Sequence, residues 1–457
     1  MKVVVCGAGQ VGSQIARQLA AEGNAVTVID NNGALVRRLT DMYDVSGVIG
    51  FASHPDVMAR AGTADCDMLI AATSMDEVNM VACQVAHSVF EVPTKIARIR
   101  TESYLEAEWS DLFRRDHLPI DVIISPETEV ARVTLRRLQA TAAFDIEPFL
   151  DGAVNFVGVR LDADCPVTNT PLRQLSELFS TLRAVVVAVR REGKLFVASP
   201  EDQLFAEDEV YMVAAREDVQ RAFGIFGRKN RVASRIIVIG AGNVGLRVGR
   251  EIEERPMHRA TLIERDRSKA ERAADRLERT VVLNGDALEA GILEEAGIND
   301  ADAIVALTDD DRTNLLSCAL AEQIRPVISI ALSKDQTFER LAEPLGIDAL
   351  IDPRATTVSS ILRHVRRGKI RAVYSIGGGE GEVIEAQVMG TSALAGKRLR
   401  DINLPRGSIV GAVRSGEKVR MPNGDLTIGV GDVLVLFAVR DAVRQVEQMF
   451  RVSLDFF

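Results

Sequence analysis

The chain is a tandem repeat, and this feature limits its possible folds more than any other. The segment Gly7-Ala8-Gly9-Gln10-Val11-Gly12 returns in the second half of the chain as Gly240-Ala241-Gly242-Asn243-Val244-Gly245. The match continues beyond the glycines, because Asp30 corresponds to Glu264 at almost the same offset. A repeat that spans about half of the chain predicts two similar folding units within its 457 residues.

Each copy has two parts with different patterns. The first part alternates short apolar runs, such as Val3 to Cys6, with amphipathic stretches, which is typical of a parallel sheet built from βαβ units. The second part consists of short strands, such as Leu182 to Val189, between Gly, Pro and acidic turns. The sequence therefore predicts an α/β protein with two doubly wound, Rossmann-like parallel-sheet domains, each followed by a small α+β domain.

The apolar spacing after each last parallel strand predicts a helix that connects the two parts. The predicted boundaries are 1–125 for the first Rossmann domain, 126–140 for its connecting helix, 141–225 for the first small domain, 226–234 for a linker, 235–352 for the second Rossmann domain, 353–371 for its connecting helix and 372–457 for the second small domain.

The glycine-rich loops predict nucleotide binding. Each loop follows a β-branched strand and precedes a helix-like stretch, which is the context that a dinucleotide-binding loop requires. The first glycine permits a tight turn, the second lets a pyrophosphate approach the backbone, and the third lets helix and strand pack closely. Asp30 and Glu264 stand where a carboxylate would bind the ribose of adenosine. An empty loop on the same fold is the alternative for either copy.

The acidic residues also bear on the choice of nucleotide. A carboxylate at the ribose disfavours a 2′-phosphate, so the sequence favours NAD(H), or ATP or ADP, over NADP. In the second copy, Arg265 and Arg267 flank Glu264 and weaken that exclusion.

Further positions follow the other strands. Phe51 and Asp286 are expected beside the adenine, whereas Thr73, Ser74 and Thr308 follow the fourth strand of each sheet, either as ligand contacts or as helix caps. Arg98 and Arg100 alternate along a predicted strand, which makes Arg98 a candidate phosphate ligand that the second copy lacks. The predicted nucleotide-binding residues are Gly7, Ala8, Gly9, Gln10, Val11, Gly12, Asp30, Phe51, Thr73, Ser74, Arg98, Gly240, Ala241, Gly242, Asn243, Val244, Gly245, Glu264, Asp286 and Thr308.

Composition excludes several other classes. The net charge of −10 argues against a protein that coats nucleic acids. The five cysteines include no CxxC pair, and the five histidines show no ligand spacing, so we expect neither disulfides nor a metal site. The first apolar residues run directly into the glycine loop and the longest apolar runs fall short of the roughly 20 residues of a membrane span, so we expect neither a signal peptide nor a transmembrane helix.

The sequence lacks features that two other functions require. An NAD-dependent oxidoreductase needs a general acid or base beside the nicotinamide, and the small domains contain no histidine. A DNA-binding repressor needs a helix-turn-helix and a basic face, which the sequence does not show. We therefore expect no catalytic residues, and the oxidoreductase is the alternative function.

The whole arrangement resembles the peripheral regulatory subunits of Trk-type potassium-uptake systems, which carry tandem regulator-of-potassium-conductance domains. Besides the glycine loop and Asp30, the resemblance is carried by Ala71-Ala72-Thr73-Ser74 with Asp76 to Asn79, Ile96-Ala97-Arg98, Ile123-Ile124-Ser125-Pro126, Val187 to Gly193 and Glu207 to Tyr211.

The resemblance implies a cytoplasmic protein, peripheral on the inner face of the cell membrane, that binds NAD(H), with ATP or ADP as further nucleotides. It also implies a homo-oligomeric ring of four chains that gates a membrane potassium-translocating subunit of the Trk type, with no nucleic-acid partner.

Overall fold

A computed structural model describes residues 1–140, 142–228, 232–342, 344–365, 370–376 and 379–450. The predicted linker at 226–234, the second connecting helix at 353–371 and the second small domain at 372–457 each include residues outside this set. The chain forms two compact units, Met1–Leu135 with Ser234–Val365, and Arg136–Ala233 with Arg366–Phe457.

The first repeat begins with a six-stranded parallel sheet in the order β3-β2-β1-β4-β5-β6. Its strands are β1 (Lys2–Cys6), β2 (Ala25–Asp30), β3 (Ser46–Ile49), β4 (Met68–Ala71), β5 (Thr94–Arg98) and β6 (Val122–Ile124), and its helices are α1 (Gln10–Ala21), α2 (Gly33–Met42), α3 (Pro55–Arg60), α4 (Asp76–Ser88) and α5 (Pro126–Gln139). Alternate residues of β1 pack into the hydrophobic cores on opposite faces of the sheet, Val3 and Val5 on one face and Val4 and Cys6 on the other.

The first small domain is a five-stranded antiparallel sheet in the order β10-β9-β11-β8-β7. It comprises β7 (Asp145–Phe149), β8 (Val154–Arg160), α6 (Leu172–Leu178), β9 (Ala184–Arg191), β10 (Lys194–Val197), β11 (Glu209–Ala215) and α7 (Val219–Ile225).

The second repeat forms another parallel sheet, in the order β14-β13-β12-β15-β16-β17. Its elements are β12 (Arg235–Ile239), α8 (Asn243–Glu253), β13 (Arg259–Glu264), α9 (Arg267–Arg276), β14 (Val281–Asn284), α10 (Ala290–Glu295), β15 (Ala303–Ala306), α11 (Asp311–Ile324), β16 (Ile328–Leu332), α12 (Glu339–Ala342), β17 (Ala349–Ile351) and α13 (Pro353–Val365).

The second small domain has the strand order β18-β19-β22-β20-β21. Its elements are β18 (Ile370–Ile376), β19 (Gly381–Gln387), β20 (Ser408–Ser415), β21 (Lys418–Arg420), β22 (Val433–Val439) and α14 (Arg440–Met449). Both strand orders of the parallel sheets are those of doubly wound dinucleotide-binding domains, so the predicted fold class is confirmed.

One detail of the sequence interpretation was wrong. Arg100 was placed with Arg98 on one face of a strand, but β5 ends at Arg98. The cause is a side-chain contact: the carboxylate of Asp76 accepts hydrogen bonds from the backbone N–H groups of Arg100 and Thr101, and so turns the chain away from the sheet.

In the second unit the two small domains pack against each other through one shared apolar core, to which both Phe156 and Phe437 belong. Two ion pairs of 2.7 Å cross between the copies, Arg190 with Glu380 and Arg414 with Asp151. Arg190 and Arg414 are equivalent in the repeat, so each small domain uses the same arginine to contact the other.

A partly buried hydrogen bond joins the same two small domains. The hydroxyl of Tyr374 donates to Asp145 at 2.6 Å. Burial raises the pKa of Tyr374 well above its ordinary value, and the neighbouring Asp145 carboxylate adds to the rise, so the hydroxyl keeps its proton and remains a donor.

In the first unit, helix α13 of the second copy packs on α1 of the first copy. Its apolar residues Val358, Ile361, Leu362 and Val365 join the same core as Val3. The second copy thus completes the hydrophobic core of the first, and the two Rossmann domains are held together by burial of apolar surface.

We expect Ile361→Ala to lower the free energy of unfolding of the first unit by about 2–5 kcal/mol, because Ile361 is fully buried and its truncation leaves a cavity. Urea denaturation monitored by circular dichroism would measure this. Ser359→Ala, on the same helix but partly exposed, should change stability by no more than about 0.5 kcal/mol. Equal effects of the two substitutions would contradict the packing of α13 described here.

Candidate functional site

The first glycine loop is held in place by the acidic residue at the end of β2. The backbone N–H of Ala8 donates to Asp30 Oδ2 at 2.6 Å, and that of Asn32 donates to Oδ1 at 2.8 Å. Gly7 turns the chain with a φ of 107°, a conformation that favours glycine, and a side chain there would also meet Ala72 O at 3.0 Å. The loop and the carboxylate therefore form one rigid unit.

The second copy repeats this geometry. The backbone N–H of Ala241 donates to Glu264 Oε2 at 2.7 Å, and that of Asp266 donates to Oε1 at 2.8 Å. A carboxylate offers about four lone-pair positions, so each acid keeps acceptor capacity for ligand hydroxyls after binding its own loop.

The second and third glycines of the first loop have different surroundings. A Cβ atom at Gly12 would lie 1.9 Å from Gly7 O, so only glycine lets α1 begin directly beneath the loop. A Cβ atom at Gly9 would meet nothing within 4 Å, because Gly9 faces open space. Gly245 and Gly242 repeat these two environments in the second copy.

A buried asparagine, which the sequence analysis did not assign to the site, joins the ends of two strands. Asn79 Oδ1 accepts from the backbone N–H and the hydroxyl of Thr73 at 2.9 and 2.7 Å, and its Nδ2 donates to Arg98 O at 2.8 Å. Asn314 makes the corresponding contacts with Thr308 and with Leu332 O. The matched positions of the two asparagines in the repeat were a signal for this role.

The structure also excludes one of the two roles expected for Thr73 and Thr308, that of a helix cap. Thr73 and Thr308 are not the N-caps of the following helices, since Met75 and Asp310 occupy those positions. Their hydroxyls instead donate to Asn79 and Asn314 and so fix the loops that follow β4 and β15.

Arg98 presents a cation at this edge of the first sheet. Its Nη1 donates to Thr73 O at 3.4 Å, while its buried Nε has no hydrogen-bond partner among the residues that the structure describes. Burial lowers the pKa of Arg98, and the charge of Arg100 lowers it further. A guanidinium with an unused donor in partly buried surroundings is suited to bind an anion.

Both loops open into one cavity of about 1050 Å³. The predicted residues that line it are Gly7, Gly9, Gln10, Val11, Asp30, Phe51, Thr73, Ser74, Arg98, Gly240, Ala241, Gly242, Asn243, Val244, Glu264, Asp286 and Thr308. The remaining three, Ala8, Gly12 and Gly245, are buried outside the lining, where they shape the loops.

The cavity also contains charged residues that the sequence analysis left outside the site. Lys269, Arg272 and Arg276 come from α9, Glu127 from α5 and Arg354 from α13. Glu127 and Arg354 follow the equivalent prolines Pro126 and Pro353, so the repeat alignment could have shown that an acid in one copy is replaced by a base in the other.

Ion pairs connect the two copies beside the cavity. Glu102, which follows β5, is paired with Arg250 of α8, and its other oxygen lies 3.6 Å from Arg276 Nη1 of α9. Arg363 of α13 lies 3.0 Å from Glu129 Oε2 of α5. Residues of one copy thus contact the segments that form the site of the other.

The cysteines are buried and unreactive in character. Burial raises the pKa of Cys83 and of Cys318 to about 12, which keeps both thiols protonated. Among the described residues there is no group of three or more His, Cys, Asp or Glu side chains placed to hold a metal ion. No helix in the described ranges is both long and apolar enough to cross a membrane.

Both repeats of the chain match models of known domain families. The TrkA-N domain model matches residues 3–126 and 236–353, and the TrkA-C domain model matches residues 156–227 and 383–451.

Relatives match over the full length. The chain is 50% identical to a Trk system potassium uptake protein TrkA of Azorhizobium caulinodans and 37% identical to that of Halomonas elongata, and each comparison covers 100% of both chains. Among solved structures, the GsuK RCK domain superposes with a TM-score of 0.59 at 17% identity, covering 98% of this chain and 94% of that one. The GsuK channel bound to NAD superposes with a TM-score of 0.60, also at 17% identity, covering 98% of this chain and 78% of that one. The two structures support the fold.

The glycines allow a matched test of the loop geometry. We expect Gly12→Ala to destabilise the first unit by about 1–3 kcal/mol, because the added methyl group must displace the backbone of Gly7. Gly9→Ala should change stability by less than about 1 kcal/mol, since its methyl group enters open space. Thermal denaturation of the two variants would measure the difference, and equal melting temperatures would contradict the geometry.

Proposed function

The chain belongs to the family of the Trk system potassium uptake protein TrkA, and from this premise we propose that it is a regulatory subunit that binds NAD(H) and adenine nucleotides and gates a Trk-type membrane potassium transporter or channel. The observation that carries the proposal is the pair of glycine loops, each tied to a carboxylate, that open into one cavity.

The geometry suggests how a dinucleotide would lie in the first site. The ribose of adenosine would bind Asp30, with the adenine near Phe51, which is half exposed at the end of β3. The pyrophosphate would lie over Gly9, at the N-terminus of α1, where backbone N–H groups are free to bind an anion. The other half of the ligand would extend over β4 and β5 toward Thr73 and Arg98.

The same reasoning applies to the second site with one difference. Glu264, Gly242 and Thr308 repeat the positions of Asp30, Gly9 and Thr73, but Leu332 stands where the first copy has Arg98. The second site therefore lacks the cation of Arg98 but has Arg354 where the first site has Glu127, and because of these differences in charge we expect the two sites to differ in nucleotide preference.

The chemistry of the lining favours binding over turnover. Within the described residues the cavity lining contains no histidine, tyrosine or cysteine. The acid–base groups that it does contain are carboxylates and two lysines, of which Lys334 donates a hydrogen bond to Asp309 O at 2.9 Å. We propose that nucleotides act here as signals rather than as substrates.

The shared cavity suggests how nucleotides would gate the membrane partner. Residues of both copies line it, so a ligand that contacts both Rossmann domains favours one relative position of the two over another. A difference in binding free energy of about 1–3 kcal/mol between two positions would change their ratio by about five- to 150-fold. Nucleotides with different phosphate ends would then favour different states of the assembly.

The place of the protein in the cell is part of the same proposal. We propose that four chains form a ring on the inner face of the cell membrane, under a potassium-translocating subunit of the Trk type, with no nucleic-acid partner. The names of the full-length relatives, which are proteins of a potassium uptake system, support the link to potassium transport. A channel of the same fold that binds NAD supports the choice of nucleotide.

Calorimetry with NADH tests the binding sites. We expect saturable binding to two sites per chain, and we expect Asp30→Ala and Glu264→Ala each to weaken one site by about ten- to 100-fold through loss of charge-assisted hydrogen bonds. Asp41→Ala, on the exposed face of α2, is the matched control and should leave both sites unchanged.

Absorbance of NADH should be followed in the same samples. Steady oxidation would replace the proposal by its alternative, an NAD-dependent oxidoreductase. Absence of binding of NADH, ATP and ADP would overturn the proposal.

A further inference from the structure

The two sites differ most at the end that would hold the adenosine ribose. In the first copy the positions around Asp30 that line the cavity include Asn31 and Leu35. At the equivalent positions of the repeat the second copy has Arg265 and Lys269, and Arg272 also lines the cavity. Among the residues that line the cavity, the ribose carboxylate of the first site thus has neutral neighbours where the second site has Arg265 and Lys269. Arg38, which corresponds to Arg272, does not line the cavity.

The local structure places these cations close together, beside the ribose carboxylate. Asp266 caps α9, because its side chain accepts from the backbone N–H of Lys269 at 2.9 Å, while its own N–H donates to Glu264. Helix α9 therefore starts at a fixed point beside the ribose carboxylate. Lys269 and Arg272 are separated by nearly one helical turn, so they lie on the same face of that helix, and both line the cavity.

These cations are available for a ligand. Neither Lys269 nor Arg272 forms an ion pair with any residue that the structure describes, and Arg265 has only a long contact of 3.9 Å with Asp286. Arg267 is different, because it pairs with Glu271 at 2.9 Å and does not line the cavity. Of Arg265 and Arg267, which flank Glu264 in the sequence, only Arg265 lines the cavity, where it lies with Lys269 and Arg272.

The excess of cations does not follow from composition, since the chain as a whole carries a charge of −10. Cations beside the acid of a dinucleotide-binding fold accommodate a phosphate on the ribose 2′-oxygen. Glu264 and Asp30 accept the same pair of hydrogen bonds from backbone N–H groups, so the difference between the two sites lies in the cations beside the acid.

We propose that the second site accepts an adenine dinucleotide that carries a 2′-phosphate, such as NADPH, whereas the first site accepts only the unphosphorylated form. Arg265 and Lys269 bind the additional phosphate, and Arg272 adds to the attractive field. The inference rests on the proposed nucleotide-binding function and deepens it, because one chain then responds to two different pools of nucleotide.

The test uses the full chain with the first site weakened by Asp30→Ala. Titration with NADPH, followed by calorimetry, should show saturable binding to the remaining site. Lys269→Ala and Arg265→Ala should each weaken binding of NADPH by about tenfold or more, as expected for loss of a charge-assisted contact, and should leave binding of NADH within about twofold. Arg267→Ala is the matched control and should leave both affinities unchanged.

A variant of the first site tests the same contact in the opposite direction. Asn31→Arg, at an exposed position, in a chain with Glu264→Ala, should let the first site bind NADPH. The melting temperature of each variant should be recorded beside its affinity.

The outcomes separate the two proposals. Binding of NADH without any binding of NADPH would overturn this inference and leave the proposed function intact. Binding of NADPH that Lys269→Ala and Arg265→Ala do not weaken would also overturn it, because the phosphate would then be recognised elsewhere. Failure to bind either dinucleotide would overturn this inference, and failure to bind ATP and ADP as well would overturn the proposed function.

Discussion

The arrangement of both sites depends on burial of the apolar face of α13 against α1. This helix belongs to the second copy, yet Val358, Ile361, Leu362 and Val365 complete the core of the first. Burial of apolar surface is the main driving force for such association. As a consequence, two glycine loops that lie in different halves of the sequence open into the same cavity.

Each loop is in turn fixed by its own carboxylate. Asp30 and Glu264 accept a hydrogen bond from the loop and another from the residue that starts the next helix, so the acid, the loop and the helix move together. Asn79 and Asn314 do the same for the opposite edge of each site by joining the ends of two strands. The site is thus largely formed before a ligand arrives, and binding energy can be used to favour one arrangement of the two domains.

Much of this architecture was predictable from the sequence. The β-branched strands, the glycine loops and the acids at the ends of β2 and β13 follow local rules, and each of these features occurs in both copies of the repeat. The fold class was therefore predicted correctly. Three features depend on contacts distant in sequence and were not predicted: the packing of α13, the shared cavity and the turn that Asp76 imposes after Arg98. A helical pattern shows which residues of α13 are apolar but not which domain will cover them. The cations of α9 were also missed, because an exposed charged helix looks the same in sequence whether it faces solvent or a cavity.

The central claim is that nucleotides in this cavity control potassium movement through a membrane partner. The most direct measurement is the flux of potassium from vesicles that contain the Trk-type membrane subunit together with this chain, without nucleotide, with saturating NADH and with saturating ATP. The account predicts that the flux differs by several-fold among these conditions and that the difference disappears when Asp30→Ala and Glu264→Ala are combined. An identical flux in all three conditions, with the unsubstituted chain bound to its partner, would contradict it.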